Sequence, residues 1–236
     1  MLRLAHRQVD PERMDDPALP AAELDDALDG LRRLNRASRA ERGTRHALRR
    51  IAADHGRTAL HVLDVATGGG DVPLALLDRP GPLDLTIDAC DRNPLAIERL
   101  APRVATRRGG GRAFVHDLAD GPPPGAWDVV MCSLFLHHVP ESEVVAVLRR
   151  LRAAARLAVV VNDLDRSRTG LILAHLATRV LSRSPIVHAD GPQSVRAAMT
   201  LPEFFTHART AGARRVDGWR RFPARWIGVL DGAATT

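Results

Sequence analysis

Between Leu63 and Pro73 the chain reads LDVATGGGDVP: an apolar run ending in Asp64, three consecutive glycines, and a second acid at Asp71. Glycines weaken a fold unless a backbone must bend sharply or come close to something, so this stretch is read as a place where a guest approaches the chain, with a structural turn as the plainer alternative. The guest is not a dinucleotide held in the usual way. Counting from Gly68, the G-x-G-x-x-G spacing finds Gly70 and then Pro73 where the last glycine belongs. A phosphate-gripping P-loop needs lysine, and the sequence has none. Asp71 also puts a negative charge where a helix amino terminus would cradle a phosphate, capping the helix and repelling a second anion. A nucleoside cofactor without phosphate, and with positive charge, fits these residues better.

The elements around the loop follow from hydrophobic periodicity. Residues 1–20 are polar and carry three prolines, and are expected to be loosely ordered. Leu24, Leu28, Leu31 and Leu34 recur at helical spacing from Ala21 onward, and a second helix is expected over 44–54. Short apolar runs at 60–66, 83–91, 113–117, 126–138 and 156–164 predict strands, separated by helical segments at 71–79, 93–104 and 141–155. This alternation predicts an α/β fold, a Rossmann-like doubly wound sheet with strands buried on both faces. The tail predicts a helix and a closing hairpin. The helices ahead of the first strand are read as a cap, giving an N-terminal arm and helical cap over 1–43 and a main domain over 44–236.

In an open parallel sheet, ligands bind at the carboxyl ends of the strands, where Gly68–Gly70 lie. There the residues resemble a known family. Asp64-x-Ala66-x-Gly68-x-Gly70 is similar to the D/E-x-G-x-G-x-G first motif of class I S-adenosylmethionine-dependent methyltransferases, with alanine at the first glycine. VLDVATGGGD is most similar to the ubiquinone/menaquinone type. The resemblance runs over about residues 45–231, with four motifs in order. It implies the class I methyltransferase fold, S-adenosyl-L-methionine as cofactor, and no metal. It assigns Asp64, Ala66, Thr67, Gly68 and Gly70 to the cofactor loop, and Asp91 with Arg92 to the ribose. Asp117 and Leu118 fall to the adenine edge, and Ser133 to the end of the fourth strand. Asp64 and Asp91 also have ordinary readings, as a cap of backbone amides and an acid ahead of a helix. Arg36, or Asn35, is placed near the methionine carboxylate, where a guanidinium fork suits the geometry; a surface arginine is the plainer reading.

Methyl transfer gains most from holding the acceptor at attack distance in a dry cavity, and needs a base only where the nucleophile must lose a proton. Candidates stand after the strands. His137 and His138 follow the fourth; each is either a catalytic group or a structural hydrogen bonder. Asn162 and Asp163 follow the fifth, to orient an acceptor or to cap the next helix. Residues 184–200, SPIVHADGPQSVRAAMT, are read as a Gly/Pro-interrupted loop forming a substrate cap within an insertion near 166–200. It carries His188, the first choice for a base, with Asp190 and Arg196 as acceptor contacts; capping a helix is the competing role for His188. HADGPQSVR and NDLDR look similar to methyltransferases found beside type III polyketide synthases, which implies a phenolic or polyketide-derived acceptor methylated at oxygen, with carbon the second choice.

Composition excludes more than it specifies. The chain has 236 residues, 45% hydrophobic, and a formal charge of +6 carried by arginines scattered in pairs rather than in one block. Aromatics are 3% with no tyrosine, which leaves few platforms for stacking bases and argues against a nucleic-acid methyltransferase. A partner protein that binds the cofactor without turnover is the rival from outside the enzymes. Cys90 and Cys132 sit in apolar runs and read as buried thiols of a cytoplasmic protein. No segment predicts a membrane span or an export signal, and a monomer or homodimer is expected.

Overall fold

The computed structural model describes residues 4–15, 18–79 and 81–233. Five apolar runs form the strands β1 (Ala59–Val65), β2 (Asp84–Asp91), β3 (Gly110–Val115), β4 (Trp127–Ser133) and β5 (Ala155–Leu164). They pair in parallel, and a hairpin of β6 (Val216–Arg221) and β7 (Arg225–Asp231) completes the sheet in the order β3-β2-β1-β4-β5-β7-β6. β7 runs antiparallel to the other six strands. Successive side chains of a strand point to opposite faces, so a strand covered on both sides must be apolar throughout. Val160 faces one core with Val62, Leu100 and Ile227, while Val161 faces the other with Leu63, Val130 and Trp226.

The described residues form eight helices: α1 (Ala21–Ser38), α2 (Glu41–Asp54), α3 (Asp71–Leu77), α4 (Pro94–Ala105), α5 (Val144–Ala154), α6 (Arg168–Leu181), α7 (Pro185–Ala197) and α8 (Leu201–Thr210); α2, α3, α4, α5 and α8 pack on the sheet. The second helix begins at Glu41, three residues before its expected start, and buries Thr44, Ala47, Leu48 and Ile51. The 43/44 division therefore falls inside a helix of the sheet layer, and α1 lies outside that layer, packed with α6 and α7. None of the described helices is long and apolar enough to cross a membrane.

Two expectations give way. Residues 184–200 are not a loop: Pro185–Ala197 is helical, with Ser184 at the N-cap and Pro185 in the first turn. Gly191, read as an interruption, is a packing residue, because a Cβ there would stand 2.5 Å from Thr178 of α6. Residues 4–15 of the arm are also fixed. Arg7 donates to the carbonyls of Ala197, Leu136 and Val139, and the buried Arg166 donates to the carbonyl of Leu4 and pairs with Glu203. The polar composition that suggested disorder supplies these hydrogen bonds instead.

Glu203 also completes a capping box, accepting from the Thr200 backbone while Thr200 Oγ1 accepts from Glu203 N. Thr200→Ala is expected to lower stability by about 1 kcal/mol, read as a shift of the urea midpoint without a change in slope.

Candidate active site

Register places the functional residues in one row. β1 aligns Val65 with Cys90 and Cys132, one residue before Asp91 and Ser133, and β4 aligns Ser133 with Asn162. The carboxyl ends of β1, β2, β4 and β5 thus present Asp64, Asp91, Ser133 and Asp163 along one edge. Two strained residues stand on adjacent strands here, Ala66 with φ 54° and Leu134 with φ 55°. Non-glycine residues in this left-handed region cost of order 1 kcal/mol, and such strain gathers at functional sites. The alanine at the first glycine position is therefore a departure in backbone conformation rather than in room.

After β1 the chain turns through Thr67–Gly70 into α3. Thr67 Oγ1 donates to Asp64 Oδ2 at 2.6 Å, and Gly68 N donates to Asp91 Oδ2 at 2.7 Å. The other oxygen of Asp91 accepts from Asn93 N at 2.9 Å, and the Asn93 side chain caps α4. Asp91 is thereby fixed at the tip of β2 with lone pairs left over. A Cβ on Gly68 or Gly69 would meet nothing within 4 Å, so the loop borders open space, whereas one on Gly70 would strike Leu100 at 2.3 Å. Close approach of a guest concerns the first two glycines, and packing of α4 the third.

Burial pushes the Asp64 carboxyl up to about 7, against the opposing Thr67 hydrogen bond. A folded-state value above the unfolded one means that folding takes up a proton between roughly pH 4 and 7, so stability falls as pH rises through that window. Asp64→Asn is expected to remove up to about 1.4 kcal/mol of slope per pH unit there, read from urea midpoints of both proteins at pH 5, 6 and 7.

The remaining cofactor candidates divide. Asp117 caps a 3-10 turn through Ala119 N, with Leu118 buried behind it. Ser133 Oγ is buried without a hydrogen bond. Arg92 and Arg36 are exposed. On α1 it is Asn35 that reaches the loop: its Nδ2 donates to Asp71 Oδ2 at 3.0 Å and its Oδ1 accepts from Arg225 at 3.2 Å. Asp71 therefore anchors α1 as well as opening α3.

Arg225, at the start of β7, escaped the sequence reading. It is buried, bonds Asn35 and Ser38 through one nitrogen, and leaves Nη1 without a partner. Burial lowers its guanidinium to about 10, opposed by Asp163. The one signal in the sequence was a charge ahead of an otherwise apolar final strand.

On the acceptor side the structure separates the candidates. His188 lies on α7 with Nε2 2.9 Å from the Ser182 carbonyl, in a helix-ending role. Asp190 accepts from Arg13 N and Met14 N and so clasps the arm, while the Arg196 carbonyl accepts from Gln8 N. Asn162 ties β5 to the α1–α2 junction through Ala40 O and Thr44 Oγ1. His137 and Asp163 do come together, buried, with Nδ1 and Oδ1 2.7 Å apart. Burial would lower His137 and raise Asp163; their mutual attraction outweighs it in both, so His137 is raised and Asp163 lowered. His138 packs its ring 4.2 Å from that of His137. The arm adds Glu12, whose buried carboxylate lies 3.9 Å from His137 Nε2. No periodicity in the sequence could have placed Glu12 there.

Residues 62–157 match a methyltransferase domain. No curated protein matches the chain. Among solved structures, the SAH-bound magnesium protoporphyrin IX methyltransferase of Synechocystis PCC 6803 superposes with a TM-score of 0.54 at 16% identity, over 94% of this chain and 92% of that one. The plantazolicin methyltransferase BpumL, bound to a monoazolic substrate analogue and SAH, gives 0.64 at 12% identity over 90% of both chains. An O-methyltransferase family 2 protein of Planctomyces limnophilus, in complex with apigenin, gives 0.53 at 17% over 74% of this chain and 50% of that one. At these identities the likeness establishes the fold, which is that of the class I methyltransferases. The methyltransferase domain match runs from within β1 to the first residues of β5, the part that carries the glycine loop and Asp91.

Proposed function

We propose that this chain transfers a methyl group from S-adenosylmethionine to an oxygen of a small phenolic or polyketide-derived acceptor. The observation that carries the reading is Asp91, pinned by Gly68 N and Asn93 N beside the open space over Gly68 and Gly69. A carboxylate so fixed can accept from the two hydroxyls of a ribose. The residues present fit the whole cofactor. Asp117 and Leu118 would flank the adenine. The buried, unpaired Ser133 Oγ and Arg225 Nη1 would serve the polar methionine end, since leaving such atoms without partners costs about 1–3 kcal/mol each.

When bound, the sulfonium supplies an electrophilic methyl group for in-line displacement. The protein's contribution is placement. α1, tied to Asp71 and Arg225 through Asn35, closes the cofactor end, and the arm closes the acceptor end beside Glu12, His137 and His138. Excluding water while holding two reactants in line is worth several kcal/mol without any covalent role for the protein. A phenol is favoured because Glu12, His137 and His138 would supply polar side chains to receive its hydroxyl. The O-methyltransferase crystallised with apigenin points to the same acceptor chemistry.

Calorimetric titration with S-adenosylmethionine, S-adenosylhomocysteine and NADH tests the cofactor, and labelled methyl transfer to a panel of phenols tests the acceptor. Micromolar binding of the two adenosyl compounds with turnover of a phenol is expected. Failure of folded, ligand-free protein to bind either adenosyl compound would overturn the reading.

A further inference from the structure

Glu12, His137 and His138 each turn one donor atom toward a common point, all within 4.8 Å of one another. We infer that these three residues form a binding site for a divalent transition-metal ion of the zinc class. Two imidazoles and one carboxylate are a borderline donor set that such ions prefer, and three protein ligands leave a position free for water or for an acceptor oxygen. Donors bound tetrahedrally to one ion at about 2.0–2.2 Å stand roughly 3.3–3.6 Å apart. The Glu12–His137 separation of 3.9 Å is a few tenths of an ångström wider than that, and the widest spacing, within 4.8 Å, closes with a side-chain movement of about 1 Å.

The surroundings argue independently of the donors. A metal-bound histidine commonly offers its second ring nitrogen to a carboxylate, and His137 Nδ1 meets Asp163 Oδ1 at 2.7 Å, leaving Nε2 for the ion. The Glu12 carboxylate is itself held, accepting from Ser194 Oγ on α7. Its backbone is fixed on both sides, by Gln193 donating to the carbonyls of Asp10 and Pro11 and by Asp190 accepting from Arg13 N and Met14 N. Glu12 is thus delivered to His137 by an arm built to stay. Glu12 and Asp163 place two carboxylates around one buried imidazole, and a divalent cation balances them. His138 is exposed at its outer edge, which provides the path in.

The test uses the full chain after dialysis against a chelator, with Co2+ as a visible probe and Zn2+ as competitor, in the absence of cofactor and acceptor. One Co2+ per chain with ligand-field absorption, displaced by Zn2+, is expected. Glu12→Gln and His138→Gln should each weaken binding at least tenfold while circular dichroism shows an intact fold. Asp163→Asn, which touches no ion, should weaken it by about 10- to 100-fold. Absence of saturable binding, or binding unaltered by Glu12→Gln and His138→Gln, overturns the site. Because no cofactor is used, either result leaves the methyl-transfer reading to its own test.

Discussion

Asp91→Ala is expected to weaken binding of S-adenosylhomocysteine by more than 100-fold in calorimetric titration. The carboxylate has two tasks. Toward the ligand it would accept from two ribose hydroxyls, and hydrogen bonds to a charged group are worth about 1.5–3 kcal/mol each. Toward the protein it holds Gly68 N at 2.7 Å and so sets the glycine turn against the tip of β2. Removing both exceeds the 2.7 kcal/mol that a 100-fold change requires. Asp91→Asn separates the tasks: the amide retains one acceptor for Gly68 N or Asn93 N but loses charge and half of the accepting capacity. Its expected loss is about tenfold, with the thermal midpoint unchanged. If Asp91→Ala binds within threefold of the parent, no ribose is held there.

The sequence was most legible where one physical rule governs a stretch. β1, β2, β4 and β5 are apolar on both faces because both faces are covered, and Asn93-Pro94 opens α4 as a capped helix should. The glycine turn after β1 was legible for a similar reason: three glycines beside two acids mark a sharp bend bordering open space, which the structure has at Gly68 and Gly69. The cluster of Glu12, His137 and His138 was not legible, because it is assembled from contacts distant in the chain. Glu12 reaches His137 across 125 residues of sequence only because α7 offers Asp190, Gln193 and Ser194 to the arm. Asp190, with His188 and Arg196 and the Gly/Pro interruption, made 184–200 look like a substrate loop. Gly191 and Pro192 misled because both usually interrupt a helix; here a missing Cβ lets α7 pack closely on α6, and Pro192 sits inside the helix, one residue past its middle. Arg225 was invisible because its role depends on β7 lying beside β5 with Asn35 above it.

His137 and Asp163 should be strongly coupled in stability. Both are buried, and a buried ion pair that loses one member leaves the other uncompensated, at a cost of about 3–5 kcal/mol. His137→Gln removes the imidazole from Asp163 Oδ1 but keeps the two backbone donors, His137 N and Leu164 N, on that carboxylate. Those donors moderate the loss, so about 3 kcal/mol is expected, or roughly 6–12 °C in thermal midpoint for a chain of this size. Asp163→Asn leaves the imidazole between an amide and Glu12, with a loss of similar size. If the two residues act as one unit, the double variant is barely worse than either single one. The cycle then returns a coupling of about 2 kcal/mol or more, well above the few tenths seen for independent sites. Urea unfolding of the four proteins in chelator-treated buffer gives this number directly. Additive losses would mean that each side chain is held by its other neighbours. The turn Leu136–His138 would then owe its position to Arg7, which donates to the carbonyls of Leu136 and Val139.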